Sequence, residues 1–135
     1  MLSEKIVLDK YDWTIYAYYH ITKYNIEEIT DKLVSVGCKG EILKDAKEHM
    51  SASKLNTGLT YTNGNKRCSI VVVSKASEPA QFINSISHET FHVVSHIIKS
   101  ENIDFLSEEA AYLYGDLAQR LYDKVKPLIC KCHSK

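Results

Sequence analysis

Two periods of apolar residues run along this chain, and the places where one gives way to the other divide it into elements. Lys5 to Leu8 is a short apolar piece, followed by the turn-like Asp9-Lys10-Tyr11-Asp12. Trp13 to Ile21 is rich in aromatic and β-branched residues, which fit the pleated surface of a strand. The period then lengthens. Asn25 is an expected N-cap, with Glu28 at the capping-box position, and Ile26, Ile29, Leu33 and Val36 recur at helical spacing. Gly37 and Gly40 punctuate, and Glu41 to Met50 reads as a second, more polar helix.

The strand period returns in the middle. Leu59-Thr60-Tyr61-Thr62 runs into Asn63-Gly64-Asn65, then into Arg67-Cys68-Ser69-Ile70-Val71-Val72-Val73. Asn-Gly between β-rich runs predicts a hairpin. The unbroken Val71 to Val73 predicts an interior strand covered on both faces. Two helices are expected after it. Ser77 is the expected cap of the first, with Glu78 and Pro79 in its opening turn. Its apolar face is Phe82, Ile86, Val93 and Ile97, and it ends near Lys99. Ser100 to Asp104 is polar and turn-like. The last helix carries Leu106, Ala110, Leu113, Leu117 and Leu121 on one stripe and ends by Pro127.

Length and charge narrow the field. A chain of 135 residues without repeats or linkers is expected to form one domain, 1–135, with a core of its own. Lysine plus arginine equal aspartate plus glutamate at 17 each, so no broad field favours nucleic acid or an acidic membrane. No apolar run approaches the length of a membrane span. MLSEKIVLDKYDW lacks the pattern of a secretory signal, and the four cysteines (Cys38, Cys68, Cys130, Cys132) form no dense framework. Free thiols and a cytoplasmic location are the expectation.

The chemistry lies on the first of the two C-terminal helices, in His88-Glu89-Thr90-Phe91-His92. Residues four apart on a helix face the same way, so two imidazoles can take two positions on one tetrahedral zinc ion. Glu89, one residue round, flanks that metal and can accept a proton from its water. With six histidines and ten glutamates in the chain, the bare motif arises by chance about 2% of the time, so it stands above background. A catalytic zinc usually has three protein ligands. Glu108 and Glu109 open the next helix. Glu108 heads a ridge of small residues, Ala111, Gly115 and Ala118, which would let a second helix approach closely. That favours Glu108 and leaves Glu109 as the alternative, or as an acidic complement to the helix dipole.

An HExxH helix followed by a helix-borne glutamate resembles the gluzincins, the thermolysin-like branch of the zincin metallopeptidases. The pattern of Glu108, Ala111, Tyr112 and Gly115 is similar to that of small metallopeptidases encoded by phages and mobile elements. The resemblance covers the two C-terminal helices and extends loosely to the hairpin. It implies one zinc ion held by His88, His92 and Glu108, with Glu89 as catalytic base. It further implies a peptide or protein substrate lying extended along a sheet edge. Two departures stand out. Tyr112 occupies the position where the thermolysin-like enzymes carry an aspartate, and the interval from His92 to Glu108 is short. The expected fold is α+β and zincin-like: a small antiparallel sheet with a β-hairpin, packed on helices, and the active site between the two C-terminal helices. The rival readings are a catalytically inactive zinc-binding module acting in protein–protein interaction, and a helical interaction protein without metal.

Several other residues compete for a role. His96 lies on the His88–His92 face and is either a third ligand, a donor to the transition state or a buried structural histidine. Tyr61, Tyr112 and Tyr114 are candidate oxyanion donors. Asn56-Thr57-Gly58 shapes the entry to the hairpin, and Cys130-Lys131-Cys132-His133 is a weak metal motif.

Overall fold

The computed structural model describes residues 1–129. Its elements are β1 (Leu2–Leu8), β2 (Trp13–Ile21), α1 (Ile26–Ser35), α2 (Gly40–Ser51), β3 (Gly58–Asn63), β4 (Cys68–Ser74), α3 (Pro79–Glu101) and α4 (Glu108–Ile129), with 3-10 turns over Asp9–Tyr11 and Lys23–Asn25. The fold is α+β, as the two periods require. The four strands form one sheet in the order β1-β2-β4-β3.

The sheet is mixed, and this corrects the expected antiparallel one. The pairs β1–β2 and β3–β4 are antiparallel, but β2 and β4 run parallel, Thr14 opposite Cys68 through Tyr19 opposite Val73. A parallel pair needs a long crossover, and α1, α2 and β3 supply it. Sequence patterning sees each strand and each hairpin but not which distant strands meet.

Both faces of the sheet are covered, which accounts for the unbroken apolar run in β4. Trp13, Ile15, Ala17 and Tyr19 of β2, with Val71 and Val73 of β4, pack against α3 and α4. Tyr18 of β2, with Cys68, Ile70 and Val72 of β4, packs against α1 and α2. A bulge at His20, whose φ is 61°, shifts the register and turns Ile21 to the α1–α2 side.

The Asn-Gly hairpin forms as expected, with β3 and β4 antiparallel, across a turn longer than two residues. β3 ends at Asn63 and β4 begins at Cys68, with Arg67 rather than Gly64 in the left-handed region. The Asn63 side chain holds this longer turn by accepting from the backbone N–H of Asn65 and Lys66. The capping box joins Thr22 to Asn25 around the 3-10 turn, so Glu28 has no part in it. Ser77 does not cap α3. Glu78 is the N-cap without a side-chain bond, and Ser77 is tied to Asn56. Leu106 is 90% exposed and precedes α4, so it leaves the core stripe that Ala110, Leu113, Leu117 and Leu121 do form. α4 runs through Pro127 to Ile129. Cys38 and Cys68 are free and buried, while the Cys130-Lys131-Cys132-His133 motif lies outside the described residues.

Candidate functional site

α3 is the longest helix among the described residues, and its two sides do different work. Phe82, Ile86, Val93 and Ile97 are buried against the sheet. His88 and His92 stand on the solvent side. One helical turn apart, their Nε2 atoms converge to 3.2 Å, with the rings edge to face. Bonds of 2.0–2.1 Å to a tetrahedral zinc place two ligand nitrogens about 3.3–3.4 Å apart. The pair, joined here by a hydrogen bond, is therefore close to the separation of one edge of such a site.

Glu89 turns the other way, into the junction of α3 with β3. It is only 4% exposed. Its Oε1 accepts a hydrogen bond from the Thr60 hydroxyl at 2.8 Å. The rest of the carboxylate lies against Gly58, where an added Cβ would come within 2.7 Å of Oε2 and 2.9 Å of Cγ. Gly58 is thus required by close approach, not by an unusual turn. His96 meets the same strand two turns along α3, its Nδ1 2.6 Å from Thr62 Oγ1. From there a polar chain crosses the sheet: Thr62 Oγ1 lies 2.8 Å from Ser69 Oγ, which accepts from the Trp13 indole N–H at 3.0 Å. Burial, reinforced by His92 and Lys99, holds the His96 imidazole below its ordinary pKa.

Gly58, Thr60 and Thr62 alternate along β3, so all three face α3. Sequence reasoning passed over this row. Its signal was present, as two threonines at period two in the first arm of the hairpin, but it acquires meaning only once Glu89 and His96 are known to face it. β3 is an edge strand, with β4 on one side only.

The remaining expected residues stand elsewhere. α4 returns along α3: Phe105, just before it, meets Phe91 edge to face at 5.7 Å, and the Tyr114 hydroxyl donates to the Ser87 carbonyl at 3.4 Å. Glu108 is exposed and lines a cavity with Asp9, Lys10, Tyr11 and Glu109. It makes no hydrogen bond or ion pair with a described residue. Glu109 accepts from the Tyr11 hydroxyl at 2.9 Å and pairs with Lys10 at 3.3 Å, and these partners hold its carboxyl below the ordinary range. Tyr112 is 69% exposed. Tyr61 is half-buried, and its phenol is pushed up by burial.

The small-residue ridge behind the choice of Glu108 is not a helix contact. Ala111 and Gly115 are exposed, and a Cβ on Gly115 would meet nothing within 4 Å. The structure brings His88 and His92 together, sets Glu89 beside them in sequence but inside the α3–β3 junction, and leaves Glu108 apart. Among the described residues no three His, Cys, Asp or Glu side chains gather into a group that could hold a metal ion. Among them, too, no helix is long and apolar enough to cross a membrane.

Compared with known proteins, the chain matches no family model, no curated protein and no solved structure.

Proposed function

We propose that this chain is a zinc-dependent hydrolase of peptide bonds, with His88 and His92 as metal ligands and Glu89 as the base. The observation that carries the reading is the 3.2 Å approach of the two Nε2 atoms, the separation of two ligands on a tetrahedral ion. The donor set fits zinc at these two positions. When bound, zinc would polarise the scissile carbonyl and lower the pKa of a water molecule to about 7. The chain's own groups do the rest. Thr60 orients Glu89 through Oε1, which fixes the direction of the carboxylate on the helix that carries the two histidines. Glu89 takes the proton from the attacking water and delivers it to the leaving amine. The open edge of β3 would receive an extended peptide as an added strand.

Glu108 would be the third ligand in this reading only if it moved to the histidine pair, from which it stands apart in this structure. It is unengaged, whereas Glu109 is held by Tyr11 and Lys10. Its place in the cavity with Asp9, Lys10 and Tyr11, apart from the histidine pair, favours a second reading, a metal-binding module without turnover, in which the two histidines bind zinc and a partner's side chain completes the shell. One experiment separates the two. Zinc-loaded protein is incubated with a peptide library beside Glu89→Gln and Glu108→Ala. Cleavage lost in both variants supports the hydrolase. Zinc binding that both variants retain, with no cleavage by the native chain, supports the module. If the native chain binds no zinc, both readings fail.

A further inference from the structure

On the sheet face opposite Glu89, strands β2 and β4 end side by side at a cavity of about 210 Å³, closed by the last turn of α2 and the segment after it. Because the two strands are parallel, both present their carboxyl-terminal ends here. A crevice outside such ends is where open sheets with parallel strands hold ligands. The cavity falls below the roughly 300–1,000 Å³ of pockets for drug-sized molecules, so its occupant is small.

The lining has two parts. Ile21, Met50, Leu59 and Val72 make an apolar floor. Lys23, Lys54 and Lys75 stand on the rim, all exposed. None of the three forms an ion pair with a described residue, and no aspartate or glutamate lines the cavity. In a chain with equal numbers of acidic and basic residues, this is a local excess of positive charge over an apolar hollow. Thr57 and Ser74 contribute hydroxyls already bonded to each other, so they stiffen the wall rather than offer free donors. Thr22 and Ser53 also line the cavity, their hydroxyls donating to Asn25 and to the Ser51 carbonyl.

We propose that this cavity binds a small amphipathic anion. Its short apolar body fills the floor, and a carboxylate or phosphate-monoester head lies among the three ammonium groups. A bare inorganic anion would leave the floor unused, and a neutral apolar molecule would leave the lysines unanswered. The cavity contains neither His88 nor His92 and shares only Gly58 with the Glu89 junction.

Calorimetry and amide-shift mapping on the full chain test this with four probes: octanoate, octyl phosphate, octanol and inorganic phosphate. Both amphipathic anions should bind saturably and shift the amides of Thr22, Ser53, Leu59 and Lys75, and the tighter one identifies the head group. Octanol should bind at least about tenfold more weakly, and inorganic phosphate should leave these amides unmoved. The double variant Lys23→Glu/Lys75→Glu alters only exposed side chains, and an unchanged circular dichroism spectrum checks its fold. It should raise the octanoate Kd about tenfold. Equal binding of octanol and octanoate, shifts mapping elsewhere, an unmoved Kd in the folded double variant, or no saturable binding of either anion would each overturn the proposal.

Discussion

The junction of α3 with β3 and the opening turn of α4 both present carboxylates, yet they treat them oppositely. At the junction, Glu89 is buried, fixed by Thr60 and pressed against Gly58, while His88 and His92 project beside it. At the start of α4, Glu109 is bonded to Tyr11 and Lys10 in an open cavity and the Glu108 side chain is bonded to no described residue. The first arrangement orients a carboxylate, and the second leaves it solvated. Spacing within one helix is enough to create the first. Bringing the second to it depends on how two helices pack, and here they pack along a different stripe.

The largest effect expected from this contrast is on metal affinity. His92→Ala should weaken zinc binding by more than about 100-fold, beyond what loss of a supporting group alone produces. Glu109→Ala, already engaged elsewhere, should leave it unchanged. Competition against a chelating dye measures both. Equal affinity in native chain and His92→Ala would remove the histidine pair from consideration.

Glycines sharpen the comparison next. Gly58→Ala forces a Cβ to within 2.7 Å of the Glu89 carboxylate and should destabilise the fold by about 1–3 kcal/mol, the usual range for overpacking. Gly115→Ala on exposed α4 meets nothing and should stabilise by up to about 1 kcal/mol through helix propensity. In a Glu89→Ala background the Gly58→Ala penalty should shrink, because the obstacle is gone. Thermal or urea unfolding reads all four variants. A penalty of the same size in both backgrounds would mean that Gly58 is needed for some other reason.

Removing the bond without the clash is a gentler probe. Thr60→Val keeps the shape and β-propensity of the side chain but takes the donor from Glu89, and should destabilise by about 1–2 kcal/mol. Thr14→Val, on β2 away from this junction, serves as the control, and an equal loss there would deprive the Glu89 bond of significance.

These residues also mark how far the chain could be read before its structure was known. Local periodicity carried most of the elements: the Phe82–Ile86–Val93–Ile97 face and the Leu113–Leu117–Leu121 stripe are buried where their spacing puts them. The HExxH geometry was legible for the same reason, since one turn of helix suffices to converge His88 and His92. What failed depended on contacts between distant segments. The parallel pairing of β2 with β4 has no local signature. Leu106 fitted the α4 stripe by number, but the chain is still turning there. The ridge under Glu108 was sound helix arithmetic applied to a face that is largely exposed, and Thr60 and Thr62 looked like ordinary strand residues until Glu89 and His96 were found opposite them.

Acid titration draws the last and smallest distinction between the two regions, because each should lose stability in its own pH window. The folded state holds the His96 imidazole below its ordinary value of 6.5, through burial first and then through His92 and Lys99. The unfolded chain therefore takes up that proton more readily. The stability tied to neutral His96 is complete above about pH 6.5 and is lost as pH falls through the lower folded pKa. Glu109 is depressed from 4.5 by the Tyr11 hydroxyl and then by Lys10, so its contribution is complete above that value and disappears as pH falls further. Both losses have the same sign and differ in where they begin. In zinc-free protein, His96→Gln should flatten the upper part of the unfolding free energy plotted against pH and leave the lower part alone, and Glu109→Gln should do the reverse. Glu109 is solvated, so its part should be the weaker and should fade with added salt. If His96→Gln leaves the slope just below pH 6.5 intact, burial against β3 is not holding a neutral imidazole, and the α3–β3 junction loses its claim to be the more ordered of the two regions.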